Sequence, residues 1–305
     1  MRYGLLMKSW RQEIKETLSL GIPMAGAQLS QTLMSTTDVA LVGRLEGNAL
    51  AAMAVGNAAY GMVVSLGIGL VAAVNPLVSQ AFGANRHDTI ARTVAVGAYS
   101  SLLLGLLFCP VLFMVNHLFD FLGYDPEMAK LATDYSRAVC LGIPFALFYF
   151  VLKNYMEATS RPRLPMMVAM TGVGVNALCA YSLMYGKFGL PALGVFGTGL
   201  ATSSVNFFMA CTLALFCWKP EFTQALRNTS KAAWKEFWGV GLPIAGSIGV
   251  EVGLFVVGAF MMGKLGPTEA AAHQIVLVCA ATAFMVPLGV SCAGSVRVGQ
   301  AVGRG

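Results

Sequence analysis

Charge is scarce in this 305-residue sequence. Twenty Lys and Arg and fourteen Asp and Glu make up 11% of the chain, while 57% of it is apolar. Ordinary soluble domains carry about 25% charged residues. So thin a charge supply cannot cover a soluble protein's surface, which excludes a soluble enzyme, a nucleic-acid binder and a disordered chain. Histidine is rarer still, at three residues, and neither His nor Cys shows metal-site spacing. There is no phosphate-cradling P-loop and no nucleophile elbow. No enzyme, no cofactor and no ATP site are therefore expected, so any uphill work must draw on an ion gradient. The seven cysteines lie inside apolar runs, form no C-x-x-C pair and are odd in number. They read as small buried hydrophobes. Alternation of apolar and polar residues is missing too, which argues against barrel strands. Residues 1–15 mix basic and acidic side chains without a small-residue cleavage site, so no signal peptide is expected.

What the chain does have is apolar length and glycine. It holds 34 glycines and its mean hydropathy is +0.70. Eight apolar segments run over about 17–43, 49–82, 93–118, 133–157, 165–186, 192–217, 238–262 and 269–296, each long enough to cross a bilayer as a helix. The fold class is thus an all-α polytopic membrane protein. With the N-terminus in the cytoplasm, fifteen Lys and Arg fall on the inner side, among them Arg2, Lys8, Lys153, Arg161, Arg163 and Arg297. Only Arg44, Lys130, Arg137, Lys187 and Lys264 fall outside. That asymmetry favours an inner N-terminus, and Trp10, Trp218, Trp234 and Trp238 all sit near the inner boundary, as interfacial indoles do.

An internal repeat organises the spans. Leu20-Gly21-Ile22-Pro23-Met24-Ala25-Gly26 matches Val240-Gly241-Leu242-Pro243-Ile244-Ala245-Gly246 at an offset of 220. Without a gap, Gly69 then falls on Gly289 and Gln80-Ala81-Phe82-Gly83 on Gln300-Ala301-Val302-Gly303. Six spans precede the second copy, so the two units share one orientation and are related by a pseudo-two-fold axis along the membrane normal. Residues 1–220 are expected to form an N-lobe of six helices. Residues 221–305 begin a C-lobe with its first two, so eight spans are seen of twelve, in a parent of about 440 residues.

Most of the fourteen acids lie at span ends or in loops; Asp38 and Glu251 lie within spans. An acid in hydrocarbon is costly, which marks both as candidate cation or proton sites, the alternative being an acid merely satisfied by neighbouring hydroxyls and helix ends. At the repeat offset Glu251 corresponds to Gln31, seven residues from Asp38. Two turns put both positions on one face, about 10 Å apart in depth. Pro23 shares the first span with Asp38 and makes it the candidate moving helix, a static kink being the alternative. Asn176 and Thr202 are polar residues within spans, open to interhelical hydrogen bonding. His273 and Gln274 open the last span as possible cavity residues, although a lone His there equally suits packing.

These residues resemble the multidrug and toxic compound extrusion (MATE) family, in its NorM-like branch. The likeness rests on Gly21-Ile22-Pro23 with Asp38, on Tyr185-Gly186-Lys187-Phe188-Gly189 and Gly197-Thr198-Gly199-Leu200-Ala201-Thr202, and on Gly241-Leu242-Pro243 with Glu251. His273-Gln274 and Arg297-Val298-Gly299-Gln300-Ala301-Val302-Gly303 complete it. The resemblance implies two six-helix lobes around a central cavity. It implies export of cationic or amphiphilic drugs in exchange for Na⁺ or H⁺, by a monomer in the bacterial inner membrane, with lipid around it and no nucleic-acid partner. It implies that Asp38 is the N-lobe acid, with Asn176 and Thr202 as its polar partners. Glu251 would be the C-lobe cation-binding glutamate, a possible Na⁺ site, and Pro23 the point where the first span bends. Ala180 stands where some relatives carry a second polar or acidic residue, which weakens a metal-ion site at Asp38 alone. A lipid-linked oligosaccharide flippase of the same superfamily is an alternative that should show more cationic residues in its cavity spans. A passive channel is another, separable by its uncoupled flux.

Overall fold

The computed structural model describes residues 10–45 and 48–305, and every regular element among them is helical. Arg2 and Lys8 lie outside the described residues, as does most of the stretch read for a signal peptide. The helices are α1 (Trp10–Val42), α2 (Ala49–Val71), α3 (Val74–Gly83), α4 (His87–Phe113), α5 (Val115–Leu122) and α6 (Pro126–Cys140). They continue as α7 (Ile143–Ala158), α8 (Arg163–Tyr185), α9 (Gly194–Cys217), α10 (Pro220–Arg227), α11 (Lys231–Leu265) and α12 (Pro267–Arg304). α2 with α3, and α4 with α5, each run on as one rod. Six helices are long and apolar enough to cross a membrane, and a seventh is counted if the bent pair α6–α7 is one span. The eighth expected span is α1, which does not pass the same test of apolarity. The reason is local: Gln28, Ser30, Gln31, Thr32, Ser35, Thr36, Thr37 and Asp38 interrupt it. At 33 residues it is still about 50 Å long, and it packs along both α8 and α12.

Sequence punctuation explains the breaks. α6 starts at Asp125, whose carboxylate accepts from the backbone N–H of Glu127 and Met128, with Pro126 in the first turn, where its missing N–H matters least. α6 and α7 meet at a 49° bend, because Pro144 can donate nothing to the carbonyl of Cys140. That carbonyl instead accepts from Cys109 Sγ at 3.0 Å, so a bend inside the span leaves no orphan acceptor. Gly123 and Gly186 close α5 and α8 in left-handed conformation. Of the cysteines, Cys140 and Cys217 are buried as expected, whereas Cys211 and Cys279 are exposed on the bundle surface. An apolar thiol on a lipid-facing helix surface has no need of burial, since lipid solvates it as well as a core does.

The 220-residue offset reappears as reciprocal packing. A Cβ on Gly69 would lie 2.6 Å from Ala245 Cα, and one on Gly289 would strike the backbone of Ala25. These are the same contact with the two units exchanged. Likewise Gly83 abuts Gln300 while Gly303 abuts Gln80, and Gly21 abuts Val290 while Gly241 abuts Leu70. Exchange of partners in this way is what a two-fold relation demands. α1 therefore pairs with α12 as α2 pairs with α11, and glycine is required at these crossings because backbone meets backbone. At one end of the bundle Arg297 reaches Glu13, Glu16 and Thr17, and Gln300 Nε2 donates to Ala158 O at 2.8 Å. At the opposite end Tyr124 Oη donates to Phe260 O at 2.8 Å.

Candidate functional site

Asp38 sits one turn before the end of α1, where the helix presses against α8 and α9, and only 7% of it is exposed. Its Oδ1 accepts from Asn176 Nδ2 at 2.8 Å and its Oδ2 from Thr202 Oγ1 at 3.3 Å. The residues singled out at three separate places in the sequence thus meet. Asn176 Nδ2 also points to Met34 O at 3.4 Å, so its two protons face two acceptors and the amide orientation is determined. Thr202 differs. Its hydroxyl lies 3.1 Å from Thr198 O as well, and one proton serves one acceptor at a time. Asp38 therefore has one fixed donor and one that can turn away. Among the described residues no Lys, Arg or His pairs with it.

A cavity of about 150 Å³ opens beside the carboxylate. Its polar lining is Gln31, Ser35, Asn57, Tyr60, Tyr135 and Asn206, and Met34, Met53 and Val205 complete the wall. Tyr135 Oη reaches Asn57 Oδ1 at 3.5 Å. Drug-sized ligands occupy pockets of about 300–1,000 Å³, so this space suits an ion with a little water. A buried carboxylate with neutral donors, oxygen-rich walls and no built-in cation is suited to take up a proton or a small cation. Sequence reasoning passed over Asn57, Tyr60, Tyr135 and Asn206. A signal existed for two pairs: Asn57 and Tyr60 are three residues apart, and Asn206 follows Thr202 by four, so each pair shares a helix face.

Glu251 does not join this cluster. It lies exposed on α11 and makes no hydrogen bond or ion pair with a described residue. Its repeat counterpart Gln31 lines the Asp38 cavity. His273 falls into the same frame. Its counterpart is Met53, which lines the cavity, and the position of a Cβ on Gly258, counterpart of Asp38, is 3.8 Å from His273 Nε2. That nitrogen is buried and without a hydrogen-bond partner. Gln274 is buried, 6% exposed. Pro23 is buried inside an unbroken α1, its ring leaving the carbonyl of Ser19 without a helical donor. A second feature is the burial of one acid that lies at a span end, one residue before the end of α7. Glu157 and Lys153, the latter placed among the inner-side charges, are both buried within α7 and pair at 3.5 Å.

The MatE family model matches residues 23–182 and 243–305. The chain is 42% identical over 308 aligned positions to a probable multidrug resistance protein NorM from Bradyrhizobium diazoefficiens, across 99% of this chain and 66% of that protein. It is 34% identical to the multidrug resistance protein MdtK of Yersinia pestis, across 98% of this chain and 67% of the relative. The chain thus spans about two-thirds of the length of the curated relatives it matches. Among solved structures it superposes on the eukaryotic MATE transporter AtDTX14 with a TM-score of 0.85 at 20% identity, covering 97% of this chain and 67% of the other. It superposes on an outward-facing multidrug resistance MATE transporter with a TM-score of 0.80 at 22% identity, covering 95% and 65%.

Proposed function

Because the chain belongs to the MatE family, we propose that it works as a secondary active exporter of cationic or amphiphilic drugs, in antiport with Na⁺ or H⁺. The observation that carries this reading is the buried Asp38, held by Asn176 and Thr202 beside a cavity of ionic size. In the cycle we infer, a proton or cation entering from outside occupies Asp38 and favours outward release of drug. The emptied, charged carboxylate then favours capture of a cationic drug from inside. Coupling needs only that the two ligands prefer different conformations. Glu251 acts as the second cation site, with Na⁺ as its candidate ligand, and His273 and Gln274 line its approach. Pro23 is the bending point of α1.

Residues 1–220 serve as the N-lobe and residues 221–305 as the first part of the C-lobe, in keeping with the reciprocal glycine contacts. The protein lies in the bacterial inner membrane with its N-terminus inside, as a monomer. The concentration of Lys and Arg at the Arg297 end of the bundle supports that orientation. The test is ethidium efflux from cells carrying the protein. Asp38→Asn and Glu251→Gln should each reduce efflux at unchanged protein level. Unimpaired efflux in both refutes the assignment.

A further inference from the structure

We propose that the buried pair Lys153–Glu157 is the inner station of a proton route that starts at Asp38 and descends the seam between α1 and α7, so that the N-lobe couples to protons rather than to sodium. The proposal rests on the antiport reading above.

Lys153 is 4% exposed and Glu157 2%. Their Nζ and Oε1 atoms lie 3.5 Å apart, one helical turn from each other. Lys153 also donates to Gln28 Oε1 of α1 at 3.1 Å and lies over the Phe150 ring. Stability is a poor reason for such a pair, since apolar side chains of the same size would hold α7 in place at least as well. Ionisable groups withdrawn from water inside a membrane protein are functional candidates by default. Three side-chain atoms in the same seam are buried and have no hydrogen-bond partner: Gln31 Nε2, Tyr149 Oη and Glu157 Oε1. The polar groups of the seam thus carry unused hydrogen-bonding capacity.

Two stripes make the route. On α1, Gln28, Gln31, Ser35 and Asp38 recur at helical spacing on one face. On α7, Tyr149, Lys153 and Glu157 recur every four residues. The helices run antiparallel here, so Gln31 neighbours Tyr149 while Gln28 meets Lys153. Gln31 and Ser35 also line the Asp38 cavity, which joins the upper stripe to the lower. A proton leaving the Asp38 carboxyl turns it into a carboxylate. It moves along water held at the unpartnered Gln31 Nε2, Tyr149 Oη and Glu157 Oε1, each water molecule taking one proton as it yields another, and the Glu157 carboxylate becomes a neutral acid before releasing it at the inner end.

The pair also discriminates between ions. A sodium ion seeking Glu157 would meet the Lys153 ammonium 3.5 Å from the carboxylate and would have to displace it. A proton binds the carboxylate while Lys153 keeps its charge and place. Among the described residues the other titratable groups facing the pair are Tyr149 of α7 and Cys292 of α12. α1 presents only the amides of Gln28 and Gln31. Pro23 lies five residues before Gln28, so a bend there carries Gln28, Gln31 and Asp38 away from α7 as one body. The route is continuous only while α1 is straight.

The test uses the protein as it occurs in the cell, purified into proteoliposomes, with ethidium as substrate. Lys153→Gln with Glu157→Gln removes both charges and leaves neither alone in the interior. Tyr149→Phe deletes one hydroxyl and keeps the ring. Three quantities are read: uptake driven by a pH gradient or by a sodium gradient, ethidium counterflow without a gradient, and equilibrium binding. The double variant should lose at least tenfold in pH-driven rate, and Tyr149→Phe several-fold, with counterflow and binding within twofold of wild type. An unchanged pH-driven rate in Tyr149→Phe, or in the double variant, overturns the route. Counterflow and binding falling in parallel with transport overturn it as well, since that is what a merely structural pair would do. So does sodium-driven uptake that Glu251→Gln leaves at the wild-type rate, since sodium would then be using the Asp38 lobe. A wild type that moves no ethidium under either gradient overturns the antiport reading itself, and the route with it.

Discussion

Replacing Asn176 by leucine isolates one hydrogen bond in the Asp38 cluster. The two side chains have nearly the same shape, and Asn176 is 1% exposed between α8 and α1, so packing is retained while the donor is lost. The lost contact is the 2.8 Å bond to Asp38 Oδ1, the shorter and better fixed of the two that the carboxylate accepts. A hydrogen bond to a charged group contributes about 1.5–3 kcal/mol. Thr202 cannot make up the loss, because its single proton is already shared between Asp38 and Thr198. The bond favours the empty, charged carboxylate over the occupied one, in which the coupling ion has neutralised it. Its removal should therefore tighten binding of the coupling ion by about 10- to 150-fold, at 1.4 kcal/mol per decade. Release of that ion becomes the slow step. The assay is ethidium exchange in proteoliposomes as a function of coupling-ion concentration. The half-saturating concentration should fall by at least tenfold and the maximal rate should drop with it. A half-saturating concentration and maximal rate both equal to wild type would refute the role given to Asn176. A rise in the half-saturating concentration would show that the amide oxygen serves the bound ion directly.

Two further outcomes test the architecture. A Cβ on Gly69 would lie 2.6 Å from Ala245 Cα, so Gly69→Val, and by the two-fold relation Gly289→Val, should force the paired helices apart at about 1–3 kcal/mol each. In a detergent melt that is a fall of about 2–12 °C, whereas Gly61→Val, where a Cβ meets nothing within 4 Å, should melt within a degree or so of wild type. Orientation can be read in a cysteine-free background with an impermeant maleimide. A cysteine at Lys187 should label on intact cells and one at Lys219 only after they are opened; the reverse pattern would invert the topology.

The site was legible in the sequence where a polar residue stood alone against apolar surroundings. Asp38, Asn176 and Thr202 are more than 130 residues apart in part, yet each contrasts with its own span, and hydrocarbon leaves such groups no partner except one another. The repeat was legible for a related reason: where backbones cross at contact distance only glycine fits, and so Gly69 and Gly289 stayed matched at the 220 offset. The burial and pairing of Lys153 and Glu157 were not legible, because the same contrast was absent. They stand four residues apart close to the polar Ser160-Arg161 turn, and a hydropathy pattern assigns such charges to a solvated loop. What removes them from water is a neighbour supplied by another part of the chain, Gln28 of α1, which one-dimensional periodicity does not see. The same limit hid the wall of the Asp38 cavity, since Asn57, Tyr60, Tyr135 and Asn206 are ordinary residues until α2, α6 and α9 are brought together. Composition identifies which residues a membrane protein cannot leave unpaired; only the packing tells which helix supplies the pair, and whether a charge near a span end belongs to water or to the interior.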